Sequence, residues 1–344
     1  MAFLRTVTGD IDAANAGICY SHEHIVIDRS FTTFCNPEFF LGSVEHAVAE
    51  LQTFRLAGGK TLIDSMPCGG GRNAVKLAEI ARATDTYIVC PTGLHLLKFY
   101  PPGHWGEYLP VDEMAELFVA EIEEGIDERD YNGPFILRTV HKAGLIKIAT
   151  SGEKPTDREK KIMEAAVIAQ RATGAPILTH TEQGGGALEQ VRFLCDLGAS
   201  MEHVAISHTD RKPDYAYHKE ILSSGAMLEY DSAFRWPADG NNPTLDLVIA
   251  MVDAGFGGQI LLGMDAARQK YWRSYGGKPG MDFLLCSFIP QLKGRGLLDR
   301  DIDAIFVHNP ARCYAFHKSD PVGLEQIRSR RSVQWTAASR TLQG

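Results

Sequence analysis

Six side chains with metal-binding chemistry recur at the ends of apolar runs. His22 and His24 stand two apart in "YSHEHIVIDR", Lys147 interrupts "AGLIKIATSG", His180 and His208 follow "PILT" and "VAIS", and Asp265 closes "LLGMD". Imidazole and carboxylate donors without a thiolate suit a borderline divalent metal, zinc first, with manganese, cobalt, nickel or iron also admissible. In a strand, His-x-His turns both rings to one face, which serves a hydrogen-bonded pair as well as a metal clamp. The distinction depends on whether the fold brings the other donors to the same place.

Eight apolar runs supply the elements to do so: 16–28, 60–65, 86–95, 144–151, 175–182, 203–210, 226–232 and 259–267. They are rich in Ile, Val and Leu without polar alternation, as strands buried on both faces of a parallel sheet must be. Segments with helical spacing separate them, among them 44–58, 73–84, 157–174 and 187–198, three of which end on Gly58, Gly174 and Gly198. Thr156 or Asp157 is a plausible helix cap. Eight strand-helix units predict an α/β fold, a (β/α)8 TIM barrel, as one domain over residues 1–344. The gap at about 97–143 reads as an insertion after strand three, an aromatic loop and an extra helix forming a wall or lid. A further helix and polar tail are expected from 324 onwards.

In such a barrel the C-terminal ends of the strands converge on one mouth, so His22, His24, Lys147, His180, His208 and Asp265 are expected to meet there. Lys147 admits two readings. Its ammonium pairs with a carboxylate such as Asp265, or its neutral amine has added CO2 and become an anionic metal bridge. A lone buried ammonium is costly in either case.

The whole chain narrows the function classes. Its 344 residues are 44% hydrophobic and 23% charged, with a net charge of −8 and no basic stretch, which argues against nucleic acid as the partner. No apolar run is long enough to span a membrane, and the N-terminus lacks a secretory signal, so a cytoplasmic protein is expected. Seven scattered cysteines without a CxxC pair disfavour a disulfide framework and a thiolate zinc site. "CGGGR" (68–72) lacks the spacing and lysine of a phosphate-binding P-loop and reads as a structural turn.

The stretches "TVTGDIDAANAGICYSHEH", "AGLIKIATS", "PILTHTE", "VAISHTD", "LLGMDAAR" and "HNPAR" resemble, in order and over nearly the whole chain, the phosphotriesterase family of the amidohydrolase superfamily. The resemblance implies two divalent metals: one held by His22, His24 and Asp265, the other by His180 and His208. An N6-carboxylated Lys147 and a hydroxide would bridge them. It also implies a homodimer. From the site chemistry, Asp265, a ligand with a free oxygen, is expected to carry the proton from nucleophile to leaving group.

Substrate is read from departures. Where the organophosphate- and acyl-homoserine-lactone-degrading branches carry an aromatic residue after strand three, this chain has His95. After strand eight, "RQKYWRSYGGKPG" is dense in cations and resembles the branch that hydrolyses phosphorylated sugar lactones. That likeness makes Arg273 and Tyr275, then Arg268 and Lys270, candidate contacts to a substrate phosphate. The expected activity is lactone-ring opening on a 5-phospho-aldono-1,4-lactone. The alternatives are a phosphotriesterase, a lactonase for unphosphorylated rings, and a barrel that binds without turnover.

Overall fold

Each of the eight apolar runs forms a strand. The computed structural model describes residues 2–237 and 240–319, with 323, 325, 327 and 329 beyond them. The helix expected from 324 lies, but for 325, 327 and 329, outside the described residues. An antiparallel hairpin, β1 (Phe3–Thr6) and β2 (Gly9–Asp12), precedes the barrel. The barrel strands are β3 (Ile18–Glu23), β4 (Gly59–Asp64), β5 (Tyr87–Val89) continuing as β6 (Pro91–Gly93), β7 (Leu145–Thr150), β8 (Ile177–Thr181), β9 (Val204–Ser207), β10 (Met227–Tyr230) and β11 (Ile260–Leu262).

From β3 to β5 and from β6 to β11, neighbouring barrel strands pair in parallel. The third strand joins the two halves: β5 pairs with β4, and β6 with β7. Beyond β11, the N–H groups of Met264 and Asp265 donate to the His22 carbonyl at 3.2 and 2.9 Å, tying the last strand to the first. The result is a (β/α)8 barrel.

Helices α1 (Phe31–Cys35), α2 (Val44–Leu56), α3 (Ala74–Thr84), α4 (Val111–Glu123), α5 (Asp157–Thr173), α6 (Ala187–Asp196), α7 (Tyr215–Leu222) and α8 (Pro243–Asp253) lie between the strands. Local chemistry sets their ends. Thr156 accepts from the Glu159 N–H while the Glu159 carboxylate accepts from the Thr156 N–H, a reciprocal cap that starts α5. Gly174 ends it at φ 79°, where a Cβ would sit 2.2 Å from the His317 carbonyl. Within 97–143, α4 packs against α5 in the position of the barrel's third helix. The irregular parts of that stretch are the loop before α4 and the segment after it, closed by an antiparallel bridge between Asp127 and Arg138.

Two cores result from strand alternation. One side chain from each barrel strand (Cys19, Ile63, Val89, Leu145, Leu178, Ala205, Met227 and Leu261) joins a cluster inside the barrel. A second, larger cluster fills the space between strands and helices. Towards the C-terminal ends of the strands the interior turns polar, with Glu23, Lys147, Ser207 and Glu229 all buried. No helix among the described residues is long and apolar enough to cross a membrane.

The "CGGGR" turn is a fastener. Arg72, fully buried, forms a two-pronged pair with Glu121 of α4 at 2.6 and 2.7 Å and reaches Asp130 at 3.0 Å. Burial works against the Glu121 charge, but the guanidinium holds its carboxyl below the usual range. Removing one partner of a buried pair leaves the other uncompensated, so Arg72→Met is expected to cost about 3–5 kcal/mol of stability. The urea midpoint measures this, and a shift typical of a surface substitution would remove Arg72 from this role.

Candidate metal centre

The barrel brings all six expected donors to one end. His22 lies in β3 and His24 just past it, Lys147 in β7, His180 in β8, His208 directly after β9 and Asp265 after β11. Asp265 Oδ1 is 3.3 Å from His24 Nε2 and 3.9 Å from His22 Nε2. The rings of His22 and His208 are 4.7 Å apart, and those of His208 and His180 are 4.5 Å apart, between centroids. Ligand-capable atoms gather in two groups that share His22, each within 4.8 Å: His22, His24 and Asp265, and His22, His208, Glu229 and Asp231.

Two of these residues hold left-handed backbone that is unusual outside glycine, His208 at φ 67° and Asp265 at φ 47°. Such conformations cost of order 1–3 kcal/mol and persist only where surrounding bonds impose them. The barrel-closing bonds impose one. The Asp231 carboxylate bonded to His208 Nδ1 anchors the other.

Electrostatics set the charge states. Lys147 is 1% exposed, and its Nζ has no hydrogen-bond partner among the described residues. Burial lowers its ammonium to about 8, against the opposing pull of Asp265, Glu229 and Asp231. Burial likewise holds His180 at about 3, so that the ring is neutral and one nitrogen lone pair is available to a metal. For Asp265, burial opposes the charge, but His24, Arg235, His208 and Arg211 together keep its carboxyl well below the carboxylate range. Its second oxygen, which the proton-carrier role would leave free, accepts from Arg211 at 2.9 Å and Arg235 at 3.0 Å.

His22, His24, His180, His208 and Asp265 border a cavity of about 470 Å³, and Lys147 lies behind its lining. His95 lines it between the rings of Phe99 and His180, 4.6 and 4.8 Å away. Of the cationic loop after strand eight, Arg268 reaches the cavity, stacking over the Phe39 ring at 4.4 Å. Lys270, Arg273 and Tyr275 are not among its lining residues. Arg273 turns to Asp282 at 2.8 Å, Tyr275 stacks on His46 at 4.1 Å, and Lys270 lies over Tyr271 at 5.1 Å. The reason is Glu50 of α2, whose carboxylate accepts the Ser274 and Met281 N–H groups at 2.9 Å each and pins that part of the loop against the helix.

The cavity also contains cations that motif reading missed, Lys98, Arg211 and Arg235, together with Glu182, which Lys98 pairs with at 2.8 Å. Their loops carry no metal-like spacing to mark them. Glu229 and Asp231 were legible in principle, since carboxyls two apart in an apolar strand share one face.

The donor set fits two metals. His24 Nδ1, His180 Nε2 and Lys147 Nζ are buried polar atoms without hydrogen-bond partners among the described residues, His180 Nε2 lying 3.5 Å from Glu182 outside bonding geometry. Unpaired buried donors clustered with neutral imidazoles are what a cation would satisfy.

Comparison with known proteins agrees. The phosphotriesterase family model matches residues 2–314. A phospho-furanose lactonase from Mycoplasmopsis synoviae is 36% identical over 325 residues, 91% of this chain and 92% of its own. Among solved structures, an amidohydrolase from Mycoplasma synoviae superposes with a TM-score of 0.87 at 33% identity, covering 96% of this chain and 98% of that one. A lactonase from Listeria monocytogenes gives 0.85 at 30%, covering 92% and 100%.

Lys147 yields a stability test. Its ammonium sits near 10.5 when exposed and about 8 in the fold. The stabilising contribution of the amine is therefore complete above 10.5 and is lost as pH falls through 8. At pH 7, Lys147→Met is expected to stabilise the metal-free protein by about 1–4 kcal/mol, the gain shrinking as pH rises towards 10. Urea unfolding at both pH values checks it; a destabilised variant at pH 7 would mean that the ammonium is well paired.

Proposed function

The chain belongs to the phosphotriesterase family, and from this we propose that it is a metal-dependent hydrolase that opens a phosphorylated sugar lactone of the 5-phospho-aldono-1,4-lactone type. One observation carries the reading. In a chain of net charge −8, the cavity beside the histidine cluster is lined by four cations, Lys98, Arg211, Arg235 and Arg268, against two carboxylates, Glu182 and Asp265. An anionic small molecule is the partner such a cavity selects. The relative named as a phospho-furanose lactonase supports the same substrate class.

His22, His24 and Asp265 would hold one metal, zinc by preference, and His180 with His208 the other. A carboxylated Lys147 would lie between them. When bound, two metals acidify water and polarise a carbonyl as Lewis acids. The chain's own groups do the rest. Asp265 moves the proton from the attacking water to the ring oxygen as the ester C–O bond breaks. Arg211 and Arg235 occupy its Oδ2, keeping the carboxylate ionised at rest and leaving the proton to Oδ1, the oxygen nearer His22 and His24, from which it is readily passed on.

Arg268 is the preferred phosphate contact, in place of Arg273 and Tyr275. Its nearest carboxylate, Glu38, is 4.0 Å away, whereas Lys98, Arg211 and Arg235 are committed to carboxylates at 2.8 to 3.0 Å. Stacked on Phe39, the guanidinium presents its donor edge for a forked contact. His95, which also lines the cavity, is the further candidate substrate contact.

Carboxylation of Lys147 would join the neutral Nζ to the carbon of CO2 with release of one proton. It would replace a costly buried cation with an anion suited to two metals. Metal-stripped protein is then expected to take up two zinc ions with bicarbonate present and fewer in CO2-depleted buffer, as measured by elemental analysis. Equal uptake under both conditions would count against the carbamate.

For the substrate, kcat/KM on matched lactones with and without a 5-phosphate is expected to favour the phosphorylated ring. Arg268→Met should lose about 10- to 100-fold on that member only, the loss of a charge-assisted bond. Asp265→Asn should lose at least about 100-fold on both. Equal loss on both rings with Arg268→Met would remove the phosphate contact, and faster turnover of neutral phosphotriesters than of every lactone would overturn the lactonase reading.

A further inference from the structure

Glu229 is a buried carboxyl that the proposed chemistry does not use. It is fully enclosed in β10, outside the cavity lining, and neither of its oxygens has a hydrogen-bond partner among the described residues. Burying such a group without compensation costs several kcal/mol, so its position calls for a reason.

The reason lies in the ring beside it. Glu229 Oε2 is 3.4 Å from His22 Nδ1, while Asp265 faces the opposite edge of the same imidazole, 3.9 Å from Nε2. Parallel register sets Glu229 level with Ser207, and the Ser207 hydroxyl is 3.0 Å from that same Nδ1. Space for the carboxyl is reserved by Gly263, where a Cβ would stand 2.9 Å from Glu229 Oε1 and 2.7 Å from the His22 carbonyl. Two residues along the strand, Asp231 makes the corresponding contact behind His208. β10 and the residue directly after it thus send two carboxyls, on one face, behind two different imidazoles.

We infer that Glu229 is the positioning residue of His22, accepting with Ser207 from Nδ1–H so that Nε2 is presented to the cavity as a metal ligand. The inference rests on the two-metal reading of the site. A carboxylate behind a liganding imidazole fixes both the tautomer and the ring orientation and raises the basicity of the liganding nitrogen. The His22–Glu229 and His208–Asp231 pairs would provide one backed imidazole for each metal position.

The test is cobalt binding to metal-stripped protein, followed by titration and by the visible ligand-field spectrum. Glu229→Gln keeps the size and burial of the side chain. It is expected to weaken one of the two cobalt equivalents by about 10- to 100-fold and to change its spectrum, as outer partners of metal ligands do. The other equivalent should stay unchanged, and the urea midpoint of the metal-free variant should not fall. Glu229→Asp, which keeps the carboxyl one methylene further back, should fall between and serves as the second variant if Gln does not fold.

Two cobalt affinities within twofold of wild type and an unchanged spectrum would overturn the inference while leaving the metal hydrolase intact. So would weakening matched by an equal loss of metal-free stability, which marks a packing role, or a third cobalt equivalent lost with Gln, which would make Glu229 a ligand. A wild-type protein that binds no cobalt tightly would overturn the two-metal reading and the inference together.

Discussion

The His22 carbonyl accepts two backbone N–H groups, from Met264 and Asp265, and the site depends on that junction. It is where a strand from the start of the chain meets one from near its end, so closing the barrel and setting Asp265 beside His22 and His24 are one event. The Glu23 carboxyl reinforces it from below, accepting from the Met264 N–H at 2.9 Å. Asp265 is forced into left-handed backbone there, and its carboxylate is held over the histidines as a consequence. An error in that register would move the aspartate and leave the histidines facing one another.

Around this junction the interior carries groups that a stability-driven core would exclude. Lys147 and Glu229 are buried without hydrogen-bond partners among the described residues, and His22, His180 and His208 are held neutral by burial. Each opposes folding of the metal-free chain. What supports them is the layer beneath, where one apolar side chain from every strand closes the barrel floor, and the clamps outside, of which Arg72 with Glu121 is the most enclosed. The fold thus separates a stable lower half from a strained upper rim, where metal binding would offset the strain.

The outer part of the cavity follows a different logic. Its cations are arranged by how firmly carboxylates hold them: Arg211 and Arg235 are committed to Asp265, Lys98 to Glu182, and Arg268 only to an aromatic face and a distant Glu38. A ligand anion would meet least competition at Arg268. The density of cations in the loop after strand eight is therefore a poor guide to its chemistry, because Glu50 draws most of that loop back onto α2.

The eight strands, their order and the six donors were legible in the sequence because apolar runs of strand length and donors at their ends are local features, and a parallel barrel turns them into one rim. The segment after the third strand was less so: α4 reads as an addition in the sequence and stands in the barrel's own helix ring. What tertiary structure alone decided is how side chains from distant segments share partners: Arg211 and Arg235 on Asp265, Glu229 behind His22, and Arg273 turned to Asp282 rather than to the cavity. Spacing along a chain records which face of a strand a residue occupies, whereas competition among charges for a partner is settled only where the packed elements meet.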